Sequence, residues 1–311
     1  MFKRMINKAC DKIINTISDI IDAKLNEKLD NIQKSLGRIA INQLKNINSD
    51  NINDYEFKIF SQWGEDGIIQ YLINQIPIEN KIFVEFGVEN YKESNTRFLL
   101  ENNNWSGLVI DGDEKNIQSI KQENLYWRYN LKAECTFINR DNINDIIKNS
   151  GISGDIGILS VDIDGNDYWV LEKIDVINPR ILIIEYNSLW GDSAKVTVPY
   201  DEKFMRNNKH YSNLYYGASL NAMFHLAEQK GYSLVGSNSN ANNAFFVRND
   251  LIGNLKILSS KESFVRAKFR ESRGEQGNLT FLGIKEAKEL LKNMKLYDIE
   301  KDSLIKVGDL K

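Results

Sequence analysis

From Tyr55 onward, short apolar runs alternate with helical stretches, and this alternation limits the possible folds more than any other feature of the sequence. The runs predicted to be strands are Ile82–Phe86, Leu108–Ile110, Thr136–Ile138, Ile156–Ile163 and Ile181–Tyr186. Short continuous apolar runs are typical of strands buried on both faces of a parallel sheet. Since parallel neighbours need right-handed crossovers, the pattern predicts a doubly wound, Rossmann-like α/β sheet.

The end of this region has a different pattern. A predicted helix, Ser219–Lys230, is followed by two apolar runs, Tyr232–Val235 and Ala244–Arg248, which the turn-rich sequence GSNSNANN joins. This arrangement predicts a hairpin. We therefore expect five parallel strands plus a C-terminal β-hairpin over residues 55–250, with residues 251–311 packed on that domain as an extension.

The first 50 residues form a separate N-terminal extension in this prediction. Residues 1–49 hold nine Lys/Arg and five Asp/Glu. Their apolar residues fall four and three apart, which is the stripe of an amphipathic or coiled-coil helix: Ile6, Cys10, Ile13, Ile17 and Ile20, then Leu25, Leu29, Ile32, Leu36 and Ile39. Such a helix either packs on its own domain or self-associates. A membrane-surface helix is a third interpretation, weakened by the interspersed acidic residues. We expect a homo-oligomer formed through this helix.

Composition excludes several other classes of protein. The 40 basic and 43 acidic residues give a net charge of -3, whereas general nucleic-acid binders carry a basic excess. No apolar run is long enough for a membrane span, and the basic N-terminus lacks the apolar core of a signal peptide. Two cysteines, Cys10 and Cys135, rule out a disulfide framework. We expect a soluble protein of the cytoplasm.

Polar residues at the predicted strand ends indicate the ligand, because open α/β sheets bind ligands there. The first strand ends in a carboxylate and a glycine, Glu85 and Gly87, which suit a positively charged ligand that approaches the backbone closely. Asp111 ends the second strand and can accept hydrogen bonds from both hydroxyls of a ribose. The later glycines of a dinucleotide loop are replaced by Val88 and Glu89, which disfavours a pyrophosphate. The sequence therefore favours S-adenosylmethionine over NAD as the cofactor. In an alternative interpretation, Glu85 binds no ligand and serves as a helix-cap or ion-pair residue.

Acidic and amide side chains follow the fourth and fifth predicted strands. Asp162 and Asp164 are two residues apart, as are Glu185 and Asn187, so each pair shares a face. Oxygen ligands gathered at neighbouring strand ends suit a divalent ion such as Mg²⁺ or Mn²⁺. In the alternative interpretation, Asp164 and Asp167 only close a turn or cap the next helix.

One histidine is placed to act as a general base. His210 lies in the irregular segment Ser188–Gly217, and irregular segments of this length are usually lids or substrate loops. A surface histidine is the alternative. His225 lies within a predicted helix and is interpreted as a packing or surface residue. Beyond the hairpin, Val265–Arg273 alternates apolar residues with Arg266, Lys268 and Arg270. On a strand these cations would share one face, which either binds a diphosphate or is solvated.

Seven segments, taken together, resemble one protein family. They are Phe60–Gly67 (FSQWGEDG), Phe83–Glu89, Val161–Gly165, Ile184–Glu185, Val196–Tyr200, Tyr215–Leu220 and Asn243–Arg248. They resemble the FkbM-like S-adenosylmethionine-dependent methyltransferases from about Tyr55 to the C-terminus. Five parallel strands, a helix and a hairpin are also the element order of the class I methyltransferase sheet. The resemblance implies O-methylation, often of sugars in surface polysaccharide or natural-product pathways.

The resemblance also implies roles for particular residues. Gln62, Glu85, Gly87 and Asp111 would hold the cofactor, and residues 139–142 would lie near the adenine. Metal-dependent relatives place ligands where Asp164, Glu185 and Asn187 stand here, with Asp162 as an alternate.

A sugar hydroxyl is a poor nucleophile, so a base or a metal must activate it, and His210 and Asp162 are the candidate bases. The prediction is an O-methyltransferase that acts on a sugar, with nucleotide-linked sugars as the expected form. Its rivals are a catalytically silent binding protein with this fold and a nicotinamide-dependent sugar oxidoreductase.

Overall fold

The computed structural model describes residues 21, 24, 25 and 28–310. The chain divides into two compact units, Met1–Asn46 and Ile47–Lys311. In the first unit, residues 28–44 form a helix, α1. The second half of the predicted apolar stripe lies on the described part of this unit, and its members are each about half exposed: Leu25, Leu29, Ile32, Leu36 and Ile39. The first half of the stripe, from Ile6 to Ile20, lies outside the described residues.

The second unit contains two sheets. The strands are β1 Ile82–Phe86, β2 Ser106–Asp111, β3 Leu131–Cys135, β4 Gly154–Val161, β5 Ile177–Glu185, β6 Val196–Thr197, β7 Tyr232–Ser237, β8 Asn243–Arg248, β9 Lys295–Asp298 and β10 Ser303–Lys306. The main sheet has the order β3-β2-β1-β4-β5-β8-β7. Strands β1 to β5 are parallel, and β8 is antiparallel to both β5 and β7. This arrangement confirms the predicted class I methyltransferase sheet of five parallel strands plus a hairpin.

The helices after α1 are α2 Glu65–Gln75, α3 Arg97–Asn103, α4 Glu114–Gln122, α5 Asn124–Arg128, α6 Ile143–Asn149, α7 Asp167–Lys173, α8 Arg206–Lys209, α9 Leu220–Gln229, α10 Ser260–Ser263 and α11 Ile284–Leu291. Helices α2 to α7 and α9 cover the two faces of the main sheet. Alternate residues of β1 enter different apolar clusters: Val84 packs with α6, α7 and α9, and Phe83 packs with α2 to α5. Each such buried side chain stabilises the fold by about 1.5–3 kcal/mol. Of the helices described, none combines the length and the apolar character that crossing a membrane requires.

The third strand is Leu131–Cys135, so the prediction of a strand at Thr136–Ile138 is wrong. β3 is an edge strand of the sheet, and it alternates buried Leu131 and Ala133 with exposed Lys132 and Glu134. A strand with one solvated face has no continuous apolar run, which is why the pattern was missed. Residues 136–138 follow the strand and line a cavity described below.

The segment Ser188–Gly217, which we call the insertion, is less irregular than predicted. It contains β6, which pairs with β9, and β9 pairs in turn with β10. The insertion and the C-terminal residues share an apolar cluster that includes Trp190, Phe204, Leu291 and Leu296. The C-terminal residues therefore pack against the insertion and stabilise it.

Candidate active site

A cavity of about 1120 Å³ opens at the carboxyl ends of β1, β2, β4 and β5. Ligands of open α/β sheets bind at this edge. Most of the predicted site residues line the cavity: Gln62, Glu85, Gly87, Asp111, Asp162, Asp164 and Glu185. The structure does not bring Asn187 and His210 to its lining. The insertion contributes one wall, which includes Phe204, Arg206 and Tyr216.

Gly87 allows the ends of β1 and β4 to approach each other. Its φ is +69°, and a Cβ atom there would lie 1.7 Å from the carbonyl oxygen of Asp162. Its N–H donates to the carbonyl oxygen of Ile110 at 3.0 Å, which ties it to β2 as well. Only glycine fits this position without moving the backbone, and the absent side chain leaves the cavity floor open.

Glu85 lies under the cavity, and its carboxylate is surrounded by donors from one loop. Ser94 Oγ donates to Oε2 at 2.6 Å, Asn95 N–H donates to Oε1 at 2.8 Å, and Thr96 Oγ1 donates to Oε2 at 2.5 Å. Burial of the carboxyl raises its pKa, and these hydrogen bonds act in the opposite direction. Since Thr96 is the N-cap residue of α3, Glu85 holds the start of that helix, which agrees with the alternative interpretation of Glu85 as a helix-cap residue.

Asp111 ends β2 and orders the turn after it. Its Oδ2 accepts from Glu89 N–H at 2.8 Å, and its Oδ1 accepts from Asp113 N–H at 2.8 Å and from Asn116 Nδ2 at 3.1 Å. Only 9% of Asp111 is exposed, yet the residue lines the cavity. A carboxylate has about four acceptor positions, so this one retains capacity for a ligand.

Phe137 is a cavity residue that the sequence interpretation missed. Its side chain is 44% exposed, and its ring lies next to Gly112, directly after Asp111. Residues 139–142, predicted to lie near an adenine, follow soon after Phe137 but do not line the cavity. Asn139 Oδ1 accepts from Asn142 N–H at 3.0 Å, and Asn142 Oδ1 accepts from Asn139 N–H at 2.9 Å. An aromatic residue two positions after an edge strand was the available signal.

Three carboxylates converge beyond the ends of β4 and β5. Asp162, Asp164 and Glu185, which we call the acidic trio, can place one oxygen atom each within 4.8 Å of one another. Asp162 and Asp164 lie in the loop after β4 rather than in the strand. Asp167 holds that loop, since its carboxylate accepts from Ile163 N–H at 2.7 Å and from Gly165 N–H at 2.8 Å. The turn-closing role considered for Asp167 is therefore observed.

Burial and repulsion between carboxylates dominate the electrostatics of Asp162 and Glu185. Loss of solvation, followed by neighbouring carboxylates, raises the pKa of both groups well above the usual range. Arg206 Nη1 donates to Oδ1 of the third member, Asp164, at 2.6 Å. Arg206 also lies over the ring of Tyr216, 3.9 Å from the centroid. The insertion thus supplies one cation to a cluster of three acids.

The two site residues that do not line the cavity have structural partners. Asn187 caps the 3₁₀ turn Ser188–Trp190 through Oδ1, which accepts from Leu189 N–H at 3.0 Å, and its Nδ2 donates to the carbonyl oxygen of Tyr216 at 3.1 Å. His210 Nδ1 lies 2.8 Å from Ser212 Oγ, and burial lowers its pKa. Asp162, the alternate in the sequence prediction, lies with Asp164 and Glu185 in the cluster of carboxylates that could hold an ion, and Asn187 as a fourth ligand stays a prediction.

The motif FSQWGEDG forms a rigid loop beside the cavity. Asp66 Oδ2 accepts from the N–H groups of Ile59, Phe60 and Ser61 at 2.7–2.8 Å. Glu65 Oε2 accepts from Trp63 N–H at 2.9 Å. These two buried carboxylates present Gln62 and Trp63 to the cavity.

The class I methyltransferase fold follows from the strand order and from the cavity at its carboxyl edge. No protein-family model matches the chain, and neither does any curated protein. Solved structures similar to it include the N-terminal domain of EvdMO1 with SAH bound, which has 11% sequence identity and a TM-score of 0.39 over 60% of this chain and 80% of that one. An S-adenosylmethionine-dependent methyltransferase from Clostridium acetobutylicum ATCC 824 has 10% identity and a TM-score of 0.38 over 59% and 90%. The CurJ carbon methyltransferase has 8% identity and a TM-score of 0.39 over 64% and 57%.

Proposed function

We propose that the protein is an S-adenosylmethionine-dependent O-methyltransferase of the FkbM-like group that methylates a sugar hydroxyl. One observation carries the proposal: a single cavity has Gly87 and Asp111 on one side and the acidic trio on the other. Methyl transfer to oxygen needs a cofactor site and a proton acceptor side by side. The cavity offers both kinds of side chain.

The cofactor side of the cavity consists of residues at the ends of β1 to β3. Asp111 accepts hydrogen bonds from ribose hydroxyls, and the exposed ring of Phe137 stacks on the adenine. Gln62 borders this space, while Glu85 holds the loop of residues 94–96 in place. When bound, the cofactor supplies a methyl group on a positively charged sulfur.

The acceptor side of the cavity contains the acidic trio. Asp162 or Glu185, in its ionised form, takes the proton of the hydroxyl at a carboxylate oxygen, and burial together with the neighbouring carboxylates raises the pKa of both groups. Arg206 offsets the charge of Asp164 beside them. In this proposal Asp162 is the principal base. His210 stays a sequence prediction, because it does not line the cavity.

The acidic trio also fits a hard divalent ion. Three carboxylate oxygens within 4.8 Å of one another are the donor set that Mg²⁺ or Mn²⁺ takes. We propose Asp162, Asp164 and Glu185 as the ligands through one oxygen each, which leaves the second oxygen of Asp162 to take the proton and that of Glu185 to accept a hydrogen bond from the substrate. When bound, the ion would lower the pKa of a coordinated hydroxyl.

Two features support the finer parts of the proposal. Arg266, Lys268 and Arg270 are exposed and do not line the cavity, and the segment is not the strand that was predicted. Its Phe269 and Glu271 nevertheless reach the cavity, so we propose that these cations contact the diphosphate of a nucleotide-linked sugar. The exposed apolar stripe of α1 supports a homo-oligomer. We propose that the enzyme acts in the cytoplasm, since its substrates in this interpretation are made there.

Calorimetry tests the cofactor assignment. The protein should bind S-adenosylmethionine, and Asp111→Asn should weaken that binding at least tenfold by removing a charged acceptor. Asp145→Ala, which changes an exposed carboxylate on α6, is the control and should bind like the original protein. Product mass after incubation with nucleotide sugars should rise by one methyl group. Tight NAD binding together with no response to S-adenosylmethionine would overturn the proposal.

A further inference from the structure

Three buried polar atoms on the cavity wall lack a hydrogen-bond partner among the described residues. They are Trp63 Nε1, Glu185 Oε2 and Asn243 Oδ1. Glu185 is 7% exposed and Asn243 is 3% exposed. Buried polar atoms in folded proteins are nearly always paired, because an unpaired one costs about 1–3 kcal/mol. One donor and two acceptors left unpaired around one cavity indicate a ligand that supplies their partners.

The two acceptors are neighbours on adjacent strands. Glu185 at the end of β5 is directly opposite Asn243 at the start of β8. Directly opposed residues of an antiparallel pair project to the same face, with Cβ atoms roughly 4.5–5.5 Å apart. Both side chains line the cavity. A ligand that satisfies them therefore needs two donors on adjacent atoms.

Glu65 fixes which atom of the Asn243 amide is left unpaired. Asn243 Nδ2 donates to Glu65 Oε1 at 3.1 Å, and Asn238 Nδ2 donates to the same oxygen at 2.7 Å. Since a carboxylate oxygen accepts only, the Asn243 amide must turn its NH₂ group to Glu65 and keep Oδ1 as the acceptor. The other oxygen of Glu65 holds the backbone of Trp63. One buried carboxylate therefore orients two of the three residues.

An aromatic pair completes the same wall. The rings of Trp63 and Phe269 are nearly parallel, with an interplanar angle of 15° and centroids 6.2 Å apart. Phe269 is 36% exposed, so one aromatic surface remains open. Aromatic surfaces beside a few placed polar groups are typical of sites that bind small polar molecules with an apolar face. A pyranose ring has such a face and carries adjacent hydroxyls.

We propose that Trp63, Glu185 and Asn243 form the acceptor subsite, and that it takes a neutral ring with two adjacent hydroxyl groups. The hydroxyls donate to Glu185 Oε2 and Asn243 Oδ1, a ring or hydroxyl oxygen accepts from Trp63 Nε1, and the apolar face of the ring packs on the aromatic pair. This subsite rests on the proposed function, and it assigns the acceptor to the wall between β5 and β8.

Saturation-transfer NMR with S-adenosylhomocysteine present tests the subsite. The probes are the methyl α-pyranosides of D-mannose, D-glucose and D-galactose, with tetrahydropyran-2-methanol as a ring that has one hydroxyl. At least one pyranoside should receive saturation and the single-hydroxyl ring should not. Asn243→Leu should weaken that pyranoside at least tenfold, and Trp63→Phe, which keeps an aromatic ring but removes Nε1, should weaken it at least threefold.

The controls separate this inference from the proposed function. Asn249→Leu changes an exposed asparagine outside the cavity lining and should leave pyranoside binding unchanged. S-adenosylmethionine binding, measured by calorimetry, should be the same in all variants. If the cofactor binds but no pyranoside does, or if the variants bind pyranosides as the original protein does, the subsite is wrong and the proposed function stands. If the cofactor does not bind either, the proposed function fails.

Discussion

Replacing Gly87 with alanine should destabilise the protein far more than the same change at Gly154. Both glycines have almost the same backbone conformation, with φ of +69° and +68°. An alanine with such a φ destabilises the folded state by about 1–2 kcal/mol. Alanine also lowers the conformational entropy of the unfolded chain, which offsets about 0.4–1 kcal/mol of that cost. At Gly154 a Cβ atom has nothing within 4 Å. We therefore expect a cost of about 1 kcal/mol there.

At Gly87 the new Cβ atom collides with the neighbouring strand. It would lie 1.7 Å from the carbonyl oxygen of Asp162, and real Cβ contacts essentially never fall below 3.0 Å, so one backbone must move by at least 1.3 Å. Forcing such a shift in a packed interior costs about 1–3 kcal/mol more. The total is about 2–4 kcal/mol for Gly87→Ala.

Urea denaturation measures both variants on the same scale, and the difference in the free energy of unfolding should be about 1–3 kcal/mol. Gly87→Ala should also lose S-adenosylmethionine affinity, because the shift moves the cavity floor, whereas Gly154→Ala should keep it. Equal destabilisation of the two variants would refute the argument that close approach, rather than backbone conformation, makes Gly87 necessary.

Three further predictions concern the acidic trio and the N-terminal helix. In metal-free buffer the free energy of unfolding should fall as pH rises from 5 to 8. The raised pKa values of Asp162 and Glu185 let the folded state hold protons that the unfolded state has already lost. A melting temperature that rises with pH over that range would contradict this. A chelator should abolish turnover and Mn²⁺ or Mg²⁺ should restore it, and full activity after thorough metal removal would exclude the ion. Deleting residues 1–46 should lower the mass seen by light scattering while S-adenosylmethionine binding persists, and an unchanged mass would rule out self-association through this unit.

Buried central strands were the most predictable part of the fold. The bounds predicted for β1, Ile82–Phe86, are those observed, because the strand is covered on both faces and reveals itself as a continuous apolar run. The edge strand β3 was misplaced because only its alternate residues are buried. The second sheet was missed because β6 has two residues and its partner β9 lies about 100 residues later along the chain.

The cavity lining was predictable where strand ends determine it. Gly87, Asp111 and Glu185 line the cavity because the carboxyl ends of parallel strands meet at one edge. Trp63 and Asn243 were not identified as site residues, because their placement depends on a buried carboxylate contact between distant segments. Asn187 is not in the cavity lining for a local reason: two residues beyond the end of β5 the chain has already turned, and the Asn187 amide caps that turn.

The pairing of β6 with β9 affects the order in which parts of the structure can form while the chain is being synthesised. Ribosomes release the chain from its N-terminus, so β1 to β5 can assemble before residues 295–298 exist. The insertion that carries Arg206 lacks its supporting strand until then, and the apolar side of Phe204 lacks Leu291 and Leu296. In a nascent chain, the side of the cavity proposed to bind the cofactor would therefore form first, and the wall that the insertion contributes would form last. A translation arrest before residue 290 should yield a cofactor-binding but inactive intermediate.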